Sequence, residues 1–410
     1  MSVAAGSREL RDLATTPAQD TLAPVRSAWP RYGDDEIAAV HGVLRSGQVN
    51  ALVHGEKCRR FEAAFAGYIG VSHAIAVANG TLALELGLRA LGVGPDDEVI
   101  VTARSYFASV SCIVALGARP VFADVDPVSQ NIDPEAIEAA ITSATKAVIC
   151  VHLAGWPCDM PRIVDICRRH KLKLVEDCAQ ALGAAIDQRR VGSFGDAAAF
   201  SFCTDKILST GGEGGMLVMR DRAVWSRAWS YKDHGKDHDK VVAPTTGGTF
   251  RWLHESFGSN YRLTEMQAAI GLLQLGKLPA WLTWRKDNAA VLDAALAGHP
   301  RLRLARPPAN IDHAYYKYYA FLRDTPRGDD GAARDALVAR LQAMGVPCGS
   351  GSCPEMYRER AFAGTGWAPT ARLSVARTLG ATSIMLPVDP TLSVEDMAVM
   401  AERIVRALEG

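Results

Sequence analysis

The sequence predicts an α/β protein, with a large domain on a mostly parallel seven-stranded sheet between helices and a smaller α/β domain after it. Three observations carry this reading. Short apolar runs recur between Ile75 and Met219, helix-patterned stretches separate them, and after residue 278 a second, shorter set of strand and helix patterns follows. Apolar runs without polar alternation suit strands buried on both faces, as in a parallel sheet covered by its crossover helices.

The elements follow in order. Residues 1–24 read as a partly disordered tail, since mixed charge and the lack of an apolar segment argue against a secretion signal. Residues 25–278 form the expected large domain. Its strand runs are Ile75–Ala78, Val99–Thr102, Pro120–Ala123, Ala147–Val151, Leu172–Glu176, Ala197–Phe202 and Gly215–Met219. Helical stretches at Leu82–Leu91, Ala108–Leu116 and Met160–His170 lie between them, and a helix at Glu265–Leu278 closes the domain. Residues 279–410 form the smaller domain, with a strand at Tyr316–Arg323 and helices at Asp335–Met344 and Val394–Leu408. Tyr231–Phe250, rich in Lys, His, Asp and Gly, is expected to be a long surface loop.

Composition narrows the function classes. Of 410 residues, 48% are hydrophobic and 22% charged, and 45 Lys plus Arg balance 45 Asp plus Glu. No global field favours nucleic acid or an anionic membrane, and no apolar run is long enough to span a bilayer. Nine scattered cysteines without a Cys-x-x-Cys pair read as buried free thiols in a reducing cytoplasm, with no metal site expected.

Five short elements carry chemistry. Asn79-Gly80-Thr81 stands between a strand and a helix, where N–H groups at a helix N-terminus favour an anion; an ordinary N-cap turn is the alternative. Glu176-Asp177-Cys178-Ala179-Gln180 ends a buried strand, the end outside which ligands bind in open α/β sheets. A carboxylate there needs a partner, either a structural cation or a pyridinium nitrogen. Ser201-Phe-Cys-Thr-Asp-Lys206 ends another apolar run before Gly211-Gly-Glu-Gly-Gly215. A lysine in such a turn can form a Schiff base with an aldehyde, and Ser201 can bond a phosphate. The lysine precedes the glycines, unlike a P-loop, and no Gly-x-Gly-x-x-Gly follows the first strand. Ser105-Tyr106-Phe107 offers an aromatic ring for stacking or for core packing. Asn260-Tyr261-Arg262, before a helix, could reach an anion or simply start that helix.

In this order the motifs resemble the DegT/DnrJ/EryC1/StrS family of sugar aminotransferases, fold type I enzymes dependent on pyridoxal 5'-phosphate (PLP). The resemblance runs from about Ala28 to Leu408. It also rests on Gly94-Pro-Asp-Asp-Glu-Val-Ile100, Pro120-Val-Phe-Ala-Asp-Val-Asp126, Gly192-Ser-Phe-Gly-Asp196 and Glu265-Met-Gln-Ala-Ala-Ile-Gly271. It implies that Lys206 holds PLP, Asp177 pairs with the ring nitrogen and Gln180 lies by the ring hydroxyl. Gly80, Thr81 and Ser201 would grip the phosphate, and Tyr106 would stack on the ring. It further implies a homodimer with active sites at the interface, where Asn260 reaches the neighbouring subunit's phosphate. Glutamate or glutamine would give the amino group to a keto-sugar, with a nucleotide-linked sugar preferred. A keto-cyclitol acceptor, or a non-catalytic regulatory protein on the same scaffold, are the alternatives.

Two departures from the family pattern bear on the substrate. The spacing from Lys206 to Glu213 is one residue longer, and the stretch between Tyr231 and Asn260 is long. That stretch, with Lys232, His234, Lys236, Arg251, Trp252 and His254, is expected to line the substrate side and to offer cations to a diphosphate. Some relatives carry histidine in place of the lysine and dehydrate their substrate, so the presence of Lys206 favours transamination. His152, Cys203, Cys353 and His313 are given no role.

Overall fold

The computed structural model describes residues 23–244, 250–323, 325–326 and 328–409. The tail expected over 1–24 falls outside them except for Ala23 and Pro24. Seven strands form the central sheet: β1 (His73–Val77), β2 (Glu98–Thr102), β3 (Arg119–Ala123), β4 (Thr145–Val151), β5 (Lys173–Asp177), β6 (Ala197–Ser201) and β7 (Gly215–Met219). Their spatial order is β1-β7-β6-β5-β4-β2-β3. Every pairing is parallel except the two made by β7, which runs antiparallel to β1 and β6.

The apolar runs are strands because both faces are covered. Ile75 and Val77 point into one core with Val99, Val101 and Ile149. Ala74 and Ala76 point into the other with Phe61, Phe65 and Phe200. Alternate residues of one strand therefore feed cores on opposite faces. The carboxyl ends of β5 and β6 face the same side, which brings Asp177 and the Ser201–Lys206 turn together.

The helix expected to stop at Leu278 continues to Leu296. Pro279 lies inside it and removes one backbone donor, yet packing on both sides of the proline holds the helix together. Leu278 and Leu282 sit in the core that holds Phe61 and Phe65, while Leu292 and Leu296 sit in a second core with Tyr318 and Leu386. One helix therefore runs through the division at residue 278. A second sheet follows, of β8 (Leu302–Leu304), β9 (Tyr318–Leu322) and β10 (Ser383–Leu386), antiparallel in the order β8-β9-β10.

The segment expected to be a surface loop from Tyr231 is partly core. Tyr231 and Lys232 end the Arg222–Lys232 helix, and His238–Val242 forms another short helix. Lys232 is buried and pairs at 2.7 Å with Asp233, which is fully buried and also bonded to Arg262. Burial pushes the Asp233 carboxyl up, but Lys232 and Arg262 outweigh it and hold the group below its ordinary value. Local composition is blind to a partner 29 residues away. Among the described residues, no helix is long and apolar enough to cross a membrane.

Candidate active site

A cavity of about 880 Å³ opens at the carboxyl ends of β5 and β6. Gly80, Thr81, Tyr106, Asp177, Gln180, Ser201 and Lys206 all line it. Seven of the eight singled-out residues thus meet in one place. Asn260 is exposed and stands outside that set, bridged to Asp233 beside the edge strand β1.

At one end, Asn79 caps the Gly80–Ala90 helix by accepting the Leu82 N–H at 3.0 Å. The N-cap reading of this turn is therefore correct, and it is compatible with an anion site. The cap takes one donor, and the first N–H groups of the helix have no acceptor within it. Gly80 packs against Ser201 so closely that a Cβ there would lie 2.7 Å from the serine Cβ. This approach makes a narrow polar cradle of backbone and hydroxyl groups, which fits a phosphate.

Asp177 is buried, and its carboxylate accepts from Ser109 Oγ at 2.7 Å and from the Ala179 N–H at 3.1 Å. Ser109 is oriented by Ser105, 2.9 Å away. Burial pushes the Asp177 carboxyl above its ordinary value, against these bonds and the charge of Lys206. Its charge is incompletely compensated, which fits a cationic ring nitrogen entering the cavity. Gln180 Oε1 accepts from the Ala154 N–H at 2.8 Å, so its amide orientation is set by the turn after β4.

Lys206 is half-buried. Its Nζ lies 3.4 Å from the Tyr316 hydroxyl and 3.5 Å from Asp205 Oδ1. The Trp29 indole N–H bonds the Lys206 carbonyl at 2.8 Å, tying the lysine's turn to the start of the chain. Tyr106 lines the cavity with 69% of its surface exposed, so its ring is accessible from the cavity. Phe107 instead packs into the core against Phe362.

Sequence reasoning missed several lining residues, among them Asp205, Tyr316, Lys317 and Tyr319. Asp205 lay inside a quoted motif; Tyr316 and Lys317 were read only as the start of a strand. Cys203 and Cys353 line the cavity, whereas His152 and His313 are buried outside that set. His152, Glu176 and Cys178 bring three possible metal ligands together. The His152 ring is engaged on both sides, accepting the Cys158 N–H at 3.0 Å and meeting Glu176 at 3.1 Å. Lys232, His234, Lys236, Arg251, Trp252 and His254 all lie outside the lining of this cavity within the same chain.

The fold and the lysine–carboxylate cavity define a fold type I aminotransferase. Residues 30–405 match the model of the DegT/DnrJ/EryC1/StrS aminotransferase family, and the chain belongs to that family. The solved aminotransferase of Psychrobacter cryohalolentis is 45% identical with a TM-score of 0.88, covering 94% of this chain and 98% of that one. The chain is 36% identical to the UDP-N-acetyl-3-dehydro-alpha-D-glucosamine 3-aminotransferase of Acidithiobacillus ferrooxidans, over 96% of this chain and 100% of the relative. It is 37% identical to the L-glutamine:2-deoxy-scyllo-inosose aminotransferase of Streptomyces kanamyceticus, over 79% and 78% of the two chains.

Proposed function

We propose that this aminotransferase uses PLP held on Lys206 to move an amino group from glutamate or glutamine to a keto-sugar, with a nucleotide-linked sugar preferred over a keto-cyclitol. The observation that carries the reading is the meeting of Lys206, Asp177 and the Gly80–Thr81–Ser201 cradle in one cavity of about 880 Å³. That volume lies within the usual range for ligand sites, ~300–1,000 Å³, and leaves room for a substrate beside a cofactor. The greater coverage by the nucleotide-sugar relative supports the preferred acceptor, and the cyclitol relative keeps the second reading in play.

When bound, PLP supplies a reactive aldehyde and an electron-accepting ring. The residues would divide the remaining work. The Gly80 and Thr81 N–H groups and the Ser201 hydroxyl bind the phosphate. Asp177, steadied by Ser109, holds a proton on the ring nitrogen. Tyr106 covers one ring face, and Gln180 lies beside the ring hydroxyl. Lys206, as a free amine, would carry the substrate proton as a general base, a role commonly worth ~10²–10⁴-fold in rate.

The same reading makes the protein a cytoplasmic homodimer. Phe250, Trp252 and Phe257 are 78%, 84% and 100% exposed, close in sequence to Asn260. Exposed apolar side chains of this kind, Phe250 and Trp252 with ring centroids 4.9 Å apart, suit a second copy of the chain, with Asn260 reaching that copy's phosphate cradle. Sedimentation at micromolar concentration should give a dimer, and a monomer would remove Asn260 from the site.

The deciding experiment is an absorption spectrum of the purified protein with PLP, before and after glutamate or glutamine. The band of the lysine-bound cofactor should give way to that of pyridoxamine phosphate, and Lys206→Ala should show neither that band nor turnover. Turnover by Lys206→Ala would end the assignment. A panel of keto-sugars and keto-cyclitols would then identify the acceptor class.

A further inference from the structure

Tyr316 is a core residue with a polar tip. It is 6% exposed and packed in the cluster that holds Ala181, Leu182, Leu278 and Leu282. Its backbone is pinned from two sides. The buried Arg285 donates to the Tyr315 and Tyr316 carbonyls at 3.4 and 3.3 Å. Gly155 lies so close that a Cβ there would come within 3.0 Å of the Tyr316 nitrogen. The hydroxyl is thereby delivered to the cavity at a set position.

The hydroxyl donates to Asp205 Oδ2. Burial and the neighbouring Asp205 charge push the Tyr316 phenol well above its ordinary value, so it stays protonated. Burial also pushes the Asp205 carboxyl up. The charge of Lys206 and the phenol's bond outweigh that and leave the group below its ordinary value, as an anion. The single phenolic proton is committed to Asp205, and only the oxygen lone pairs of both groups face Lys206. Nζ lies 3.4 Å from one and 3.5 Å from the other.

We infer that Asp205 and Tyr316 form a positioning pair for Lys206. They engage two of the three substituent directions of its free amine and aim the third at the reacting carbon. The inference rests on the reading of Lys206 as the cofactor-bearing base. The pair acts while the lysine is detached from the cofactor. It touches proton transfer and cofactor capture and leaves donor binding alone.

The test uses the full-length protein and its Tyr316→Phe and Asp205→Asn variants. In a single-turnover reaction with glutamate, Tyr316→Phe should slow the spectral change about 10- to 100-fold, the scale set by small misplacements of a reacting group. The dissociation constant for glutamate should stay within about twofold, and the Cα-deuterium isotope effect should rise as proton transfer becomes more limiting. Added to apoprotein, PLP should form its lysine-bound band more slowly in both variants, a readout that needs no turnover. The double variant should lose little beyond the larger single loss, because the two groups act as a unit. Rates and isotope effects within twofold of the parent would overturn the pairing. So would a loss matched by equal weakening of glutamate binding and cofactor retention, which marks a structural role. A parent protein that never forms the lysine-bound band would overturn the proposed function itself, a result distinct from either.

Discussion

Glu176 and Asp177 are consecutive carboxylates on β5, and the fold treats them in opposite ways. Glu176 points away from the cavity and accepts from the Gly192, Phe194 and Gly195 N–H groups at 2.8, 2.7 and 2.7 Å, with His152 at 3.1 Å. Burial pushes its carboxyl up, but His152 and these donors more than offset that and hold it below the ordinary value. Asp177 points into the cavity with two donors, and burial leaves its carboxyl above the ordinary value. The strand's two-residue period assigns the faces. Equal burial thus yields a structural anion on one side and an anion awaiting a partner on the other. Desolvation alone does not make a site; the unfilled bonding capacity does.

This contrast can be broken by experiment. The largest effect is expected from Asp177→Asn, which keeps a side-chain acceptor for Ser109 and loses the charge. Turnover should fall by about 10²–10⁴-fold, while the thermal midpoint moves by less than about 4 °C. Wild-type rates would show that the ring nitrogen needs no anion here.

Glu176→Gln should give the reverse pattern. One acceptor oxygen becomes a donor facing buried N–H groups, and urea unfolding should report a loss of about 3–5 kcal/mol, the range for breaking a buried charged network. Cofactor-loaded protein that still folds should retain most of its turnover. A stability change under about 1 kcal/mol would show that Glu176 is as loosely held as Asp177.

The smallest effect sharpens the comparison with a buried base. His313 accepts the Tyr315 N–H at 2.7 Å, stacks on Tyr315, and is pushed by burial from 6.5 down to about 3. Between those values the unfolded chain binds the proton more readily than the folded one. Stability should therefore fall as pH drops from about 6.5 toward 3. His313→Asn, whose amide can accept the same N–H without titrating, should flatten that limb in pH-dependent thermal melts. An unchanged limb would assign the acid sensitivity to other groups.

Much of the fold was legible in the sequence because buried parallel strands leave an apolar trace that turns interrupt. All seven strand runs fall on observed strands, though boundaries shift by one or two residues, as with His73–Val77. The helix was expected to end at Leu278; a proline such as Pro279 disfavours helix locally, and cores on either side carry it through. The basic segment after Tyr231 misled for a similar reason. A lysine looks solvated until a buried Asp233 and Arg262 meet it.

The sequence by itself determined the sheet, and it singled out Lys206 and Asp177 as candidates for chemistry. Both stand at the ends of apolar runs, where ligands bind in open α/β sheets. Only the tertiary structure decided that Glu176 is held by the Gly192, Phe194 and Gly195 N–H groups, that Lys232 is buried in the core, and that Tyr316 meets Lys206 from 110 residues away. Strand runs and turn motifs are encoded by near neighbours. Which side chains share a pocket depends on how distant elements pack, and that pairing leaves no trace in local composition.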